Sequence, residues 1–366
     1  MIEYAPLRIR SSHTQPGDGV LRLKAILNSS EALCRSSTRQ ARESRQVQLA
    51  LGMSSKVIGL VGVGKMGYAM AGNMLASGLR VVAYDASSDA LAAAKSIGCE
   101  TVASPREVGE ASSMVISILP NDAILREVTH GEDGILAGLQ PGAGVHVSCS
   151  TVSPHTSREL ASIHAEADTI FVGAPVFARP DGVAAKNGTW CLSGPAAGVA
   201  AATEVLSTTC SGVYEFGEDP GAANVVKLSG NFMISAAVEA MGEALALSES
   251  NGLDREKVMG MLSDTIFNCL IYKGYGNRVA ARKHFQDVDH PGFGLELGLK
   301  DIALVLDTAK TSPTPVPMPF ASVLHNRLTT SKNRGWGELD WSAIGLSISE
   351  DAGVDITDAA ENPQPE

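Results

Sequence analysis

The sequence lacks three patterns that would place it in other classes of protein. None of its six cysteines forms a Cys-x-x-Cys pair, and none of its eight histidines stands in a His-Glu-x-x-His motif. We therefore expect reduced, mostly buried thiols in an intracellular protein, and no metal site. The most apolar long stretch, Phe232–Leu247, is interrupted by two glutamates and is too short to cross a bilayer. It is predicted to form a buried helix.

The chain also lacks an excess of positive charge. Its formal net charge is −11, with 40 acidic and 29 basic residues. This balance argues against nucleic acid or an anionic membrane as a partner, and it leaves a small molecule as the expected one. A length of 366 residues suggests two domains.

Residues 1–54 differ from the rest because they carry few acids and many serines and arginines. Two interpretations stand. The segment is a transit peptide, which would place the protein in mitochondria or plastids, or it is a disordered leader to a cytoplasmic protein whose working part begins near Met53. Either way, residues 1–52 should carry no catalysis.

Residues 55–218 alternate short apolar runs with helical patterns, which predicts parallel βαβ units. Helices are expected over 66–77 and 88–97, each closed by a glycine. Strands are predicted over 57–60, 80–84, 113–119, 144–148, 169–172, 190–192 and 213–216.

Residues 219–348 show no convincing strand pattern and predict an all-helical domain. Its first helix should be long, with Asp219 as N-cap and Pro220 at the first helical position. Residues 349–366 are acidic and contain proline, so they are predicted to be a disordered tail. Further helices are predicted over 255–264, 270–282, 297–310 and 320–331.

The segment Gly62-Val63-Gly64-Lys65-Met66-Gly67 is a G-x-G-x-x-G motif between a predicted strand and helix. In this context it predicts a dinucleotide site. The first glycine permits a tight turn, the second lets a pyrophosphate approach the backbone, and the third lets helix and strand pack closely. The helix N-terminus offers N–H groups to the phosphates.

Asp85 ends the second predicted strand at the spacing expected for a ribose-binding acid. A carboxylate there accepts hydrogen bonds from ribose hydroxyls and repels a 2′-phosphate. No arginine follows it directly, so NAD is predicted over NADP, although NADP stays possible.

The stretch Gly59–Met74 resembles the signature of the β-hydroxyacid dehydrogenases, a family that includes 3-hydroxyisobutyrate dehydrogenases and glyoxylate/succinic semialdehyde reductases. Further motifs of the family recur in order across residues 56–346. The resemblance implies a Rossmann domain with a parallel sheet, joined by a long helix to an all-α C-terminal domain. It also implies an NAD(P)-dependent oxidoreductase.

The resemblance assigns roles to individual residues. Gly221–Asn231 resembles the catalytic helix of the family, which makes Lys227 the general acid/base and Asn231 a substrate ligand. These two residues are four apart and share one helix face. Ser150 and Thr151 match the substrate loop, although Ser148 stands where the family has aspartate. The implied cofactor contacts are Leu119, Pro120, Thr151, Phe293 and Lys300.

One departure from the family pattern bears on the substrate. After Ala-Pro-Val the family has Ser-Gly-Gly, whose backbone N–H groups hold a carboxylate, whereas this chain has Phe177, Ala178, Arg179 and Pro180. Arg179 is a candidate ligand for that carboxylate, since a guanidinium pairs with carboxylates through two donors. Pairing with Asp181 is the other interpretation.

The leading hypothesis is reversible interconversion of a small hydroxy acid with its semialdehyde or keto acid, in a homodimer or larger homo-oligomer. An imine reductase is the first alternative, and Lys227 argues against it, because imine reductases commonly lack this lysine. A cofactor-binding protein without turnover is the second.

Overall fold

The computed structural model describes residues 56–285, 292–354 and 356. The predicted leader and most of the predicted tail lie outside the described residues. The chain from Lys56 onward forms one compact unit. No described helix is long and apolar enough to span a membrane.

Six strands of the first half form one parallel sheet, in the order β3-β2-β1-β4-β5-β6. The order reverses between β1 and β4, and the carboxyl edge at such a switch point is where open α/β sheets bind ligands. Most residues of the four central strands are buried, as expected for a sheet with helices on both faces. The strands are β1 (Val57–Val61), β2 (Arg80–Tyr84), β3 (Glu100–Thr101), β4 (Met114–Ser117), β5 (Val145–Ser148) and β6 (Ile170–Gly173).

Polar side chains cap the N-termini of several helices that cover the sheet. Ser87, Ser104, Asn121 and Ser153 each accept a backbone N–H of the first turn, which would otherwise lack an acceptor. The helices are α1 (Lys65–Ala76), α2 (Ser88–Ser96), α3 (Pro105–Ala111), α4 (Asp122–His130), α5 (Ile135–Gly138), α6 (Pro154–Glu166), α7 (Pro180–Ala184) and α8 (Ala196–Leu206).

The last three strands form a separate small sheet, which corrects the prediction of parallel units throughout. β7 (Val176–Phe177) pairs antiparallel with β8 (Thr189–Leu192), and β8 pairs parallel with β9 (Gly212–Glu215). The connection from β7 to β8 holds only the five-residue α7, too short a crossover for a parallel pair. β7 and β3 were not predicted because a two-residue strand has no pattern to detect.

The second half of the described chain is helical, as predicted. Its core contains Leu245, Met259, Leu295 and Trp341, all at least 96% buried. Short helical turns cover Lys332–Trp336 and Trp341–Ala343. The helices are α9 (Ala222–Ser250), α10 (Arg255–Asp264), α11 (Leu270–Ala281), α12 (Leu295–Thr311), α13 (Pro319–Ser331) and α14 (Ile344–Asp351).

Both ends of this helical half need correction. The long helix α9 begins at Ala222 with Gly221 as N-cap. Asp219 does not cap it but accepts from Gly221 N in the preceding turn and forms an ion pair with Arg158. The predicted start of the tail at Ser349 is wrong, because Ser349 is buried within α14 and hydrogen-bonds Gly345 O.

The beginning of α9 is attached to the first half by buried side chains. Asn224 Oδ1 accepts from Val152 N at 3.2 Å, and Asn224 Nδ2 donates to Ser157 Oγ at 3.0 Å. Ala223 N donates to Ser193 Oγ at 2.9 Å. These bonds fix the face of α9 that carries Lys227 against the loop after β5.

Candidate active site

The glycine motif forms the turn between β1 and α1, and its three glycines meet different demands. Gly62 has a φ of +92°, and a Cβ there would lie 2.3 Å from Ile118 O. A Cβ at Gly67 would lie 1.9 Å from Gly62 O. Around Gly64, by contrast, a Cβ would meet nothing within 4 Å. The space beside Gly64 is therefore open toward a ligand at the N-terminus of α1, whose first turn contains Lys65 and Met66.

Asp85 lies at the end of β2, beside this turn. Its Oδ2 accepts from Val63 N at 2.8 Å, and its Oδ1 accepts from Ser87 N at 2.8 Å. The carboxylate is therefore held in one orientation at the rim of a cavity of about 480 Å³ lined by Gly62, Gly64 and Asp85.

The cavity suits the adenosine end of a nicotinamide dinucleotide. It runs from the glycine turn to Leu119 and Pro120, the predicted ribose contacts after β4. Glu127 and Asp133 add two carboxylates to its wall, and the described residues that line it include no lysine or arginine. Among the described residues, no cluster of His, Cys, Asp or Glu could hold a metal ion.

The predicted substrate loop lies beside the Leu119–Pro120 turn. Ser150 is buried, and its Oγ accepts from Leu119 N at 2.8 Å. Thr151 follows, and its carbonyl accepts from Lys300 Nζ at 2.6 Å. Ser148 is fully buried and its hydroxyl has no partner. The loop thus connects the cofactor cavity to α12 of the helical half.

Lys227 lies on α9, within the electrostatic influence of Lys300 and Asp301 on α12. Its side chain is buried, and Nζ lies 4.3 Å from the centre of the Phe177 ring. Burial lowers the pKa of Lys227 to about 8, an effect opposed by the nearby Asp301 carboxylate and reinforced by the Lys300 ammonium. Gly230 gives the ring its space, because a Cβ there would lie 2.4 Å from Phe177 Cζ.

Asn231 lies one turn beyond Lys227 on α9. Its Nδ2 donates to Asp301 Oδ2 at 2.5 Å, and Lys300 Nζ lies 3.0 Å from Asp301 Oδ1. Asp301 is almost fully buried. One carboxylate therefore links Asn231 to Lys300 and also influences Lys227.

Arg179 does not pair with Asp181, which corrects that interpretation. Its NH2 donates to Asp340 Oδ2 at 2.5 Å, and Asp340 also accepts from Phe293 N at 3.1 Å. Binding of a substrate carboxylate by Arg179, the other prediction, would have to compete with this ion pair. The partner could not be found from sequence, since Asp340 is 161 residues away.

Hydrogen bonds and ion pairs thus join five of the predicted site residues in two groups. Lys300 reaches Thr151, Asn231 reaches Lys300 through Asp301, and Phe293 reaches Arg179 through Asp340. Sequence reasoning gave no role to Asp301 or Asp340. The signal for Asp301 was that Lys300-Asp301 matches a Lys-Asp pair of the family.

Comparisons with known proteins agree with this fold. The NAD binding domain of 6-phosphogluconate dehydrogenase matches residues 57–217, and the NAD-binding domain of NADP-dependent 3-hydroxyisobutyrate dehydrogenase matches residues 221–346. An oxidoreductase of Bacillus subtilis (strain 168), YfjR, is 32% identical over 78% of this chain and 98% of its own.

Two further relatives have named activities. The L-threonate dehydrogenase of Escherichia coli (strain K12) is 30% identical over 78% of this chain and 93% of its own. The crystal structure of 3-hydroxyisobutyrate dehydrogenase from Salmonella typhimurium has a TM-score of 0.71 and 26% identity, covering 80% of this chain and 100% of that one.

The fold and the site together define an NAD(P)-dependent dehydrogenase of the class that acts on CH–OH groups. The chain belongs to the β-hydroxyacid dehydrogenase family, as its motifs indicated.

Proposed function

We propose that this protein interconverts a small hydroxy acid and its semialdehyde or keto acid, with Lys227 as general acid/base. The observation that carries the proposal is the position of Lys227, a buried side chain within the electrostatic influence of Asp301 and of Lys300, whose Nζ binds the carbonyl of Thr151 in the substrate loop. The names of the relatives, an L-threonate dehydrogenase and a 3-hydroxyisobutyrate dehydrogenase, support the substrate class.

The pKa of Lys227 suits proton transfer in both directions. A bound nicotinamide cofactor supplies or accepts the hydride. With a pKa of about 8, Lys227 holds a proton for the carbonyl oxygen at neutral pH and, as the neutral amine, removes one from a hydroxyl at slightly higher pH. The bond to Asp301 uses one N–H of the Asn231 side-chain amide. The amide oxygen Oδ1 and the second N–H of Nδ2 are not used in that bond and are available to orient the substrate.

We assign substrate contacts to Asn231, Ser150 and Thr151, and cofactor contacts to the glycine turn, Asp85, Leu119–Pro120, Phe293 and Lys300. The preferred cofactor is NAD. Three carboxylates, those of Asp85, Glu127 and Asp133, line the cavity and would repel a 2′-phosphate.

Turnover of a panel of hydroxy acids and semialdehydes, followed through NADH absorbance, tests the proposal. Lys227→Ala should lower kcat by roughly 10²- to 10⁴-fold without changing the affinity for NAD. Lys310→Ala, at an exposed lysine of α12, is the matched control and should behave as wild type. Full activity of Lys227→Ala would refute the mechanism.

The same panel separates the alternatives. Reduction of cyclic imines without turnover of hydroxy acids would identify an imine reductase. Binding of NAD without turnover of either class would identify a cofactor-binding protein.

Two further proposals concern assembly and location. Met233 and Leu247 on α9 are 69% and 68% exposed, which favours the predicted homo-oligomer, because large exposed apolar side chains are common at interfaces. Sedimentation equilibrium, which measures the mass of the assembly, tests this.

Fusion of residues 1–52 to a fluorescent protein tests whether they direct import into mitochondria or plastids, or leave the protein in the cytoplasm.

A further inference from the structure

Arg179 and Asp340 form an ion pair between the two halves of the molecule. Arg179 lies between β7 and α7, in the first half, and Asp340 precedes the short helical turn at Trp341 in the second. The Arg179 NH2 lies 2.5 Å from Asp340 Oδ2, and the two side chains are 28% and 1% exposed. A nearly buried aspartate requires a partner for its charge, and Arg179 provides it.

Two further neighbours pack against the guanidinium. Its Cζ lies 5.2 Å from the centre of the Tyr275 ring. Gly292 packs so closely that a Cβ there would lie 2.1 Å from Cζ, Nε and NH2. Nε is buried and makes no hydrogen bond. A side chain packed in this way has little freedom to move toward a substrate.

The carboxylate of Asp340 also binds residues on its own side of the ion pair. Its Oδ2 accepts from Phe293 N at 3.1 Å, and its Oδ1 accepts from Ser342 N and from Ser342 Oγ at 3.1 and 2.6 Å. The Phe293 and Trp341 rings are in edge contact, with centroids 4.8 Å apart. The position of Phe293, a proposed cofactor contact, thus depends on the residue that binds Arg179.

We propose that Arg179 and Asp340 are positioning residues, which tie the loop after β7 to the Phe293 segment, and that Arg179 does not bind the substrate carboxylate. Asp340 already balances the charge of the guanidinium, so Arg179 itself is not a free cation for an acid. Two residues before Arg179 in the same loop, Phe177 covers Lys227. The ion pair therefore fixes two rings at once: Phe177, which covers the proposed acid/base Lys227, and Phe293, the proposed cofactor contact. This inference rests on the proposed function for its kinetic readout.

The test compares Arg179→Met on matched substrates with and without a carboxylate, such as succinic semialdehyde and butanal. A tie predicts that kcat/KM falls roughly 10- to 100-fold for both, because misplacement of reacting groups costs rate whatever the distal substituent is. A loss confined to the acidic substrate would show that Arg179 binds the carboxylate and would overturn the inference.

A double-mutant cycle supplies a second readout, independent of turnover. Arg179→Met and Asp340→Asn should each lower the melting temperature, and the double variant should be no less stable than the worse single variant, since each single change leaves a charge unpaired. Additive losses would overturn the tie. If Asp340→Asn does not fold, Arg179→Lys is measured in its place. The ratio of kcat/KM for succinic semialdehyde to kcat/KM for butanal should then be the same in Arg179→Lys as in the wild type.

Two controls keep a failure of this inference distinct from a failure of the proposed function. Asp181→Asn, in the same loop, should change neither selectivity nor stability. Arg158→Met removes an exposed arginine–aspartate pair with Asp219 and should leave kcat/KM unchanged. The proposed function itself is judged by wild-type turnover and by Lys227→Ala, which do not involve Arg179.

Discussion

The pH dependence of alcohol oxidation should report the pKa of Lys227. Burial lowers this pKa from 10.5 to about 8. At pH 7 roughly a tenth of the amine is then neutral, against about one part in 3,000 for an ordinary lysine. Because the neutral amine is the base for oxidation, kcat/KM should rise with pH and level off above about 8.

Two neighbours on α12 should shift the rising limb of this pH profile, the range over which kcat/KM increases, in opposite directions. Asp301 raises the pKa of Lys227 and Lys300 lowers it. Asp301→Asn should therefore shift the limb to lower pH, and Lys300→Met should shift it to higher pH, each by on the order of one pH unit. The height of the profile should fall in both variants because Asp301 holds Asn231 and Lys300 holds Thr151.

The measurement is kcat/KM for the hydroxy acid from pH 6 to 10 at saturating cofactor. Asp307→Asn, at an exposed aspartate of the same helix, is the matched control and should keep the wild-type limb. If both variants move the limb in the same direction, or neither moves it, another group titrates and the role of Lys227 as base is wrong.

Three other predictions follow from the same contacts. Gly64→Ala should fold normally but raise the KM for NAD at least 10-fold. Gly67→Ala should lower the melting temperature, because the Cβ at position 67 meets backbone whereas the Cβ at position 64 does not. Equal melting temperatures of the two variants would contradict this. Asp85→Ala should weaken the binding of NAD more than the binding of NADP, as measured by fluorescence titration with each cofactor. An unchanged ratio of the two dissociation constants would contradict the role of Asp85 in choosing NAD. Lys227→Met should stabilise the protein by about 3 kcal/mol at pH 7, since the folded-state pKa lies below the unfolded one, and the gain should vanish as pH rises from about 8 to about 10.5. Urea unfolding at pH 7 and 10.5 measures it, and a gain that does not change with pH would contradict the assignment.

The strands and long helices could be predicted because their residues carry their own periodicity. Helix α10 has the predicted bounds and β2 does too. The failures lie where local pattern gives way to context. β7 is two residues long, and α14 continues to Asp351 because packing against the core, not its polar sequence, keeps Ser349 and its neighbours helical.

The sequence by itself determined the dinucleotide turn and the placing of Lys227 and Asn231 on one helix face. A turn of positive φ at Gly62 and a close contact at Gly67 require glycine, and one helix turn separates Lys227 from Asn231, so these features are local. Only the tertiary structure decided the surroundings of the lysine and the partner of Arg179. Burial under Phe177, the influence of Asp301 and the pairing of Arg179 with Asp340 join segments 50 to 161 residues apart. Charges on such distant segments interact only once the packed core has brought them together and excluded water between them.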